Sequence, residues 1–290
     1  MKRVLITGEH SYIGESVENY LHENYPKSYK IDTISVKGDD WKNYDFSKYD
    51  TIFHVAGIAH SDNGKITEEK KKLYYAVNTD LTIDVAKKAK KDGAKQFIFM
   101  SSAIVYGESA KIGKDKLITK DTPVSPKNCY GDSKVQAENG IKKLDCDKFK
   151  VVILRPPMIY GKGCKGNFQS LVEIADKLPV FPYVNNQRSM LYVENLAEFI
   201  HLAIKNNEQG TFWPANNEYS NTSELVQKIS IIKGKKTRLI KGFTPLIKLA
   251  GLFSQFPNKA FGNLRYDSEL TKYKTDYRVN TLENSIEKSL

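Results

Sequence analysis

Ser102, Tyr130 and Lys134 are the residues whose types and spacing best suit chemistry in this chain. Tyr130 and Lys134 stand at i and i+4 of a helix-like segment running to about Leu144, which sets the ammonium near the phenol on one face. A phenol titrates at about 10 when unperturbed, and a nearby cation favours its ionised form, so Tyr130 becomes a usable acid or base. Ser102 can hold a substrate oxygen in register while the proton moves. Proton transfer coupled to hydride transfer is the chemistry this trio suits. Spacing alone does not select it: Tyr44 and Lys48 repeat the pattern, and either pair by itself reads as a solvated helix face.

What distinguishes Tyr130 is the order of elements around it. The apolar run Phe97-Ile98-Phe99-Met100 has strand length and stops at Ser101-Ser102, and a second run, Val151-Val152-Ile153-Leu154, stops at Arg155-Pro156. In an open parallel sheet, ligands sit beyond the carboxyl ends of the strands, so both endings face one crevice. Val4-Leu5-Ile6 reads as the first strand, entering Thr7-Gly8-Glu9-His10-Ser11-Tyr12-Ile13-Gly14 and a helix through about Glu23. Gly8 allows a tight turn, Gly14 allows close helix-to-strand packing, and the helix start offers N–H groups to a pyrophosphate. Ile31 to Val36 reads as the second strand, Thr51 to His54 as the third with the small exit Val55-Ala56-Gly57, and Leu73 to Lys91 as a helix. The pattern predicts an α/β fold: a doubly wound parallel sheet with helices on both faces and a smaller, interleaved lobe.

These pieces resemble an extended short-chain dehydrogenase/reductase of the nucleotide-sugar epimerase/dehydratase family. The likeness rests on Thr7-Gly8 to Ile13-Gly14, His54-Val55-Ala56-Gly57, Asn78, Ser101-Ser102-Ala103 with Val105-Tyr106-Gly107, Tyr130 to Lys134, and Leu154-Arg155-Pro156 with Tyr160-Gly161. Serine at position 11 replaces a third glycine usual in the family. The resemblance implies a Rossmann domain over 1–160, with about 190–205 returning to it, and a substrate-binding lobe over 161–290. It implies Ser102, Tyr130 and Lys134 as catalytic residues. It places Gly8, Ser11, Tyr12, Ile13, Gly14, Val55, Ala56, Gly57, Asn78, Tyr130, Lys134 and Pro156 around NAD or NADP, with Asp40-Trp41 beside the adenine. For the substrate it implies Ser102, with Asn167, Arg188 and Arg265 at the diphosphate of a UDP-sugar. NAD-binding members normally end the second strand with an acid; here Ser35-Val36-Lys37-Gly38 follows, so Lys37 points to the 2′-phosphate of NADP, the plain alternative being an exposed lysine.

The net charge of +11, from 45 basic and 34 acidic residues, invites a nucleic-acid reading, but the lysines are scattered in pairs and triples, so nucleic acid is not expected as a partner. Three cysteines without metal-ligand spacing fit free thiols, and no metal site is expected. No apolar run approaches the roughly 20 residues needed to cross a bilayer, so the chain reads as cytoplasmic. Phe243, Leu246, Leu249, Leu252 and Phe253 recur near helical spacing; the expected reading is a core-facing stripe, and peripheral membrane contact through 243–264 is the alternative, because Lys241, Lys248 and Lys259 flank it.

An intact trio argues against a binding-only regulator. Ala103-Ile104 after Ser102 supplies no acid to expel water, which disfavours dehydration and leaves a 4-ketoreductase and a 4-epimerase. Phe97 to Ser101, Arg155 to Gly161, Gly166 to Gln169, Asn185 to Ser189 and Phe261 to Leu264 are similar to bacterial capsule and O-antigen enzymes that reduce UDP-4-keto-6-deoxy-N-acetylhexosamines. That likeness favours the reductase, and the family implies a homodimer through the helices near 73–91 and 128–144.

Overall fold

The computed structural model describes residues 1–58 and 66–290. Residues 1–107, 124–156 and 196–214 form one compact unit, and 108–123, 157–195 and 215–290 form a second. The segment 108–123, which the sequence reading leaves in the first domain, thus belongs to the second unit, and the return to the first runs over 196–214.

The first unit is built on a six-stranded sheet of β1 (Lys2–Thr7), β2 (Tyr29–Ile34), β3 (Thr51–His54), β4 (Gln96–Met100), β5 (Lys150–Leu154) and β6 (Gly210–Phe212). Their order across the sheet is β6-β5-β4-β3-β1-β2, with every pair parallel. Parallel sheets are covered on both faces, so strands carry apolar residues at successive positions instead of alternating ones. Leu5, Ile52, Phe97, Phe99, Val151 and Ile153 pack on one face with Val85, Ala86, Ala89, Ala137 and Ile141. The intervening Val4, Ile6, Phe53, Ile98 and Val152 are buried as well. Register aligns Thr7 with His54 and Met100 with Leu154, which brings the strand exits to one edge of the sheet. Successive strands are added on one side of β1 up to β2 and on its other side from β3 onward, and it is at such a switch point in strand order that an open sheet parts to admit a ligand.

Helices α1 (Tyr12–Asn24), α2 (Glu68–Tyr75), α3 (Leu81–Asp92), α4 (Cys129–Lys142) and α5 (Val193–Lys205) complete this unit's helical layers. The helix expected over Leu73 to Lys91 is three pieces, because α2 runs into a π turn at Ala76–Asp80 before α3. The start of α4 is set by Asn128, whose Oδ1 accepts from Gly131 N at 2.8 Å, and Asp132 in its first turn favours the same end.

The second unit has helices at Asn167–Lys177, Thr222–Ile232, Thr244–Phe253, Gln255–Phe261 and Leu282–Ser289. Three short parallel pairs join Leu117–Ile118 to Arg265–Tyr266, Met158–Tyr160 to Met190–Tyr192, and Val180–Pro182 to Arg238–Ile240. Here the core-facing expectation fails: the helix Thr244–Phe253 has no buried residue, and Phe243, Leu246, Leu249, Leu252 and Phe253 are all exposed.

Candidate active site

The turn after β1 is shaped by what glycine leaves open. Gly8 has φ +127°, and a Cβ there would lie 2.7 Å from Ala56 N, so no L side chain fits. A Cβ on Gly14 would meet Ser11 Oγ at 2.6 Å. Ser11 is the N-cap of α1, its Oγ accepting from Gly14 N at 3.1 Å, so the departure from the family's third glycine gains a cap and keeps the turn. His10 also takes a left-handed φ of 60°, as residues in ligand-binding turns often do. This backbone cradle and the helix start behind it fit the pyrophosphate of a nicotinamide dinucleotide.

Opposite, β3 leaves through Val55, Ala56 and Gly57. A Cβ on Gly57 would sit 3.0 Å from Asn78 Oδ1 and 3.3 Å from Lys134 Nζ, so both side chains close on this exit. Asn78 lies in the π turn, a distortion frequent at functional sites, and it is fully buried. Its Oδ1 accepts from Ile58 N at 2.8 Å, and its Nδ2 donates to Ile58 O and to Ser133 Oγ, each at 3.2 Å. Ser133 Oγ in turn donates to the Tyr130 carbonyl at 2.8 Å, which ties the β3 exit to the first turn of α4.

Ser102 ends the β4 excursion as the N-cap of a short 3-10 turn at Ala103–Tyr106, with Ile104 N donating to its Oγ at 3.3 Å. Burial pushes the Tyr130 phenol up to about 12, and a side-chain hydrogen bond with Ser102 draws it the other way. Lys134 Nζ donates to Met100 O at 3.0 Å and lies 4.7 Å from the centre of the Phe99 ring. Burial lowers Lys134 to about 8, and the Glu138 carboxylate opposes that shift. The anticipated lowering of Tyr130 by its lysine does not emerge: burial dominates, only Ser102 acts against it, and the phenol stays protonated. Ser102, Tyr130 and Lys134 all lie at the carboxyl end of β4 and the start of α4.

Two features behind this site escape the sequence reading. His54 is buried, between Thr7 Oγ1 at 2.7 Å from Nδ1 and Thr82 Oγ1 at 3.1 Å from Nε2. Thr82 spends its one hydroxyl proton on Asn78 O at 2.9 Å, so Nε2 carries the imidazole proton and Nδ1 accepts from Thr7. Burial, with the charge of Lys134 adding to it, lowers His54 to about 3, and it stays neutral. The second feature is Glu138, one turn beyond Lys134. Its Oε1 accepts from Ser101 Oγ at 2.6 Å and Arg155 Nε at 3.0 Å, and its Oε2 from an Arg155 terminal nitrogen at 2.5 Å. Arg155 also donates to Tyr106 Oη at 2.7 Å, which Trp213 Nε1 meets at 2.7 Å. A buried carboxylate and guanidinium thus anchor α4 to the exits of β4 and β5, where Pro156 O accepts from Ala103 N at 2.8 Å.

The remaining cofactor candidates are spread out. Lys37 and Asp40 are exposed, and Trp41 is buried in the core with Leu5 and Val36, its Nε1 donating to Gly38 O at 3.1 Å. In the second unit, Asn167 is exposed at the first position of its helix. Arg188 donates to the carbonyls of Lys259, Ala260 and Gly262 and has no carboxylate partner among the described residues; desolvation lowers it to about 10. Arg265 forks onto Asp115 at 3.2 and 2.7 Å, so an anion would have to compete with that carboxylate. Among the described residues no group of acids, histidines and cysteines could hold a metal, and no helix is long and apolar enough to cross a membrane.

A profile of the NAD dependent epimerase/dehydratase family matches residues 4–213. The chain belongs to that family. It is similar to the UDP-glucose 4-epimerase of Vibrio cholerae, with 34% identity over 230 residues that cover 76% of this chain and 69% of the relative. It is also similar to the N-acetyl-alpha-D-glucosaminyl-diphospho-ditrans,octacis-undecaprenol 4-epimerase of Escherichia coli O157:H7, 31% identical over 222 residues, covering 74% of this chain and 64% of that protein. Among solved structures, dTDP-4-dehydrorhamnose reductase from Clostridium acetobutylicum superposes with a TM-score of 0.73 at 18% identity over 98% of this chain and 97% of that one. UDP-glucuronic acid 4-epimerase from Bacillus cereus, solved with NAD, gives 0.72 at 18% identity over 99% and 97%. At such identity the structures establish the fold, a Rossmann sheet. As a member of the NAD dependent epimerase/dehydratase family, the chain is an enzyme of a kind that modifies nucleotide sugars with NAD(P).

Proposed function

We propose that this enzyme is an NAD(P)H-dependent C4 ketoreductase acting on a UDP-4-keto-6-deoxy-N-acetylhexosamine in surface polysaccharide synthesis. The observation that carries the reading is the end of β2. Lys37 stands exposed where a ribose-binding acid is usual, and the late Asp39 is engaged by Lys42 at 2.5 Å. A lysine there suits the 2′-phosphate of NADPH. A reductase must exchange its cofactor each turnover, whereas an epimerase returns the hydride to the same sugar and must keep it.

The cofactor, when bound, supplies the hydride. Gly8, Ser11 to Gly14, Val55 to Gly57 and Lys134 are the residues offered to hold it. Ser102 hydrogen-bonds the keto oxygen as negative charge develops there, and Tyr130 transfers its proton to that oxygen. Lys134 stabilises the phenolate left behind. Asn167 and Arg188 are assigned to the UDP diphosphate, the lowered Arg188 regaining its full basicity beside an anion. Pairing of two copies through α3 and α4 belongs to the same reading.

Lys37→Ala should narrow the preference for NADPH over NADH by about ten-fold, the worth of one charge-assisted hydrogen bond. Fluorescence titration with both cofactors checks this, and a clear NADH preference in the unaltered protein sinks the NADPH assignment.

The second reading is a 4-epimerase, favoured by the identity to the Vibrio cholerae enzyme. One assay separates the two. A reductase consumes one NAD(P)H per 4-keto sugar and leaves UDP-glucose and UDP-N-acetylglucosamine unchanged. Interconversion of UDP-hexoses by protein given no added cofactor overturns the reductase and establishes the epimerase.

A further inference from the structure

The helix Thr244–Phe253 is inside out for a globular protein. Thr244, Ile247 and Gly251 are its partly covered residues, and Lys248 reaches toward Gly113, where a Cβ would lie 2.6 Å from its Nζ. The open side carries Phe243, Leu246, Leu249, Leu252 and Phe253, with Leu252 68% and Phe253 86% exposed. This is no frayed end. Asn258 Nδ2 donates to Gly251 O at 2.8 Å, while its Oδ1 accepts from Ile112 N at 3.2 Å, so the helix is pinned with its apolar side outward. A contiguous apolar patch of this kind marks an interaction surface.

The charge of the chain that flanks this helix in sequence points to what covers it. From Leu225 to Tyr266 the chain has seven lysines, two arginines and no acidic residue. Lys233 and Lys235 are taken by Asp176, Lys228 by Glu283 and Arg265 by Asp115. Lys236, Arg238, Lys241, Lys248 and Lys259 have no carboxylate partner among the described residues. Beside Leu252 a cleft of about 360 Å³ adds Lys111 to Lys259 against a single acid, Glu108. A second copy packing on this face through a two-fold axis would set the basic belt against itself. An anionic bilayer meets both demands, since acyl chains accept the apolar side and lipid phosphates accept the lysines.

We propose that the helix Thr244–Phe253 is an interfacial membrane anchor that seats this enzyme on an anionic lipid surface. The anchor is independent of whether the reaction is reduction or epimerisation.

The test is co-sedimentation of the full chain with vesicles of phosphatidylcholine alone or mixed in equal parts with phosphatidylglycerol. The unaltered protein should sediment with the mixed vesicles, more weakly as salt is raised, and far less with phosphatidylcholine alone. Leu252→Ser with Phe253→Ser should weaken binding by roughly a hundred-fold, the worth of two side chains partly buried in lipid, with circular dichroism and cofactor binding unchanged. Lys236→Glu with Lys241→Glu should weaken binding to the mixed vesicles through charge alone. The proposal is overturned if the unaltered protein ignores mixed vesicles, or if the apolar double variant binds them as well as the parent. It is equally overturned if light scattering shows self-association that the same double variant abolishes while vesicles are ignored, which would make a second copy the occupant.

Discussion

Tyr130→Phe is expected to lower turnover by about two to four orders of magnitude, the usual worth of a positioned general acid or base. The substitution removes one hydroxyl and keeps the ring, whose centre lies 5.9 Å from that of Tyr74, so the packing at the start of α4 survives. Cofactor affinity should fall far less than turnover, because Tyr130 is one of many residues expected around the cofactor and the cradle of Gly8, Ser11 and Gly14 is left intact. The pH profile adds a sign. Tyr130, held up to about 12, is protonated throughout the neutral range and ready to donate in the reductive direction. Lys134, lowered to about 8, loses its charge as pH rises through that value and with it the stabilisation of the phenolate product. Reductive kcat should therefore be level below about 8 and fall above it, whereas the reverse oxidation, which starts from the phenolate, should be favoured by rising pH up to the point where Lys134 discharges. A folded Tyr130→Phe protein with near-parental turnover removes Tyr130 from the mechanism.

Much of this site is legible in the sequence because its parts are local. Tyr130 and Lys134 share a helix face by spacing, Ser102 is fixed by the end of an apolar run, and the Gly8 to Gly14 turn follows the first strand directly. The π turn holding Asn78 is not legible: an extra residue per turn leaves a helical pattern that reads as one element from Leu73 to Lys91. Nor is the direction of an apolar stripe. Periodicity places Leu246, Leu249 and Phe253 on one side of a helix, but only the fold shows that the side is open. Trp41 illustrates the opposite case, a residue singled out by likeness for the adenine that packs among Leu5 and Val36 in the core. Long-range polar pairs are the hardest to read. Glu138 and Arg155 lie on different elements, and among 45 basic and 34 acidic residues nothing marks these two as partners.

That pair supports the second large prediction. Glu138 and Arg155 are both buried and bonded to each other, Glu138 also accepting from Ser101 and lying 3.7 Å from Lys142 Nζ, Arg155 also donating to Tyr106. Removing one partner leaves an uncompensated buried charge, which typically costs about 3–5 kcal/mol, whereas replacing both with apolar groups of similar volume is often neutral. Glu138→Leu and Arg155→Met, each alone, should therefore lower the urea unfolding free energy by about 3–5 kcal/mol, and the double variant by much less than the sum. Additive losses in this cycle would show that the two side chains are not coupled. Glu138→Gln, which keeps the shape, separates anchoring from electrostatics. The carboxylate counters the desolvation of Lys134, so its neutralisation should move the Lys134 limb of the reductive pH profile below about 8. A stability loss with the profile unmoved would confine Glu138 to holding α4 in place; a downward shift of the limb makes it the group that keeps Lys134 charged at neutral pH, and through it a positioning residue for Tyr130.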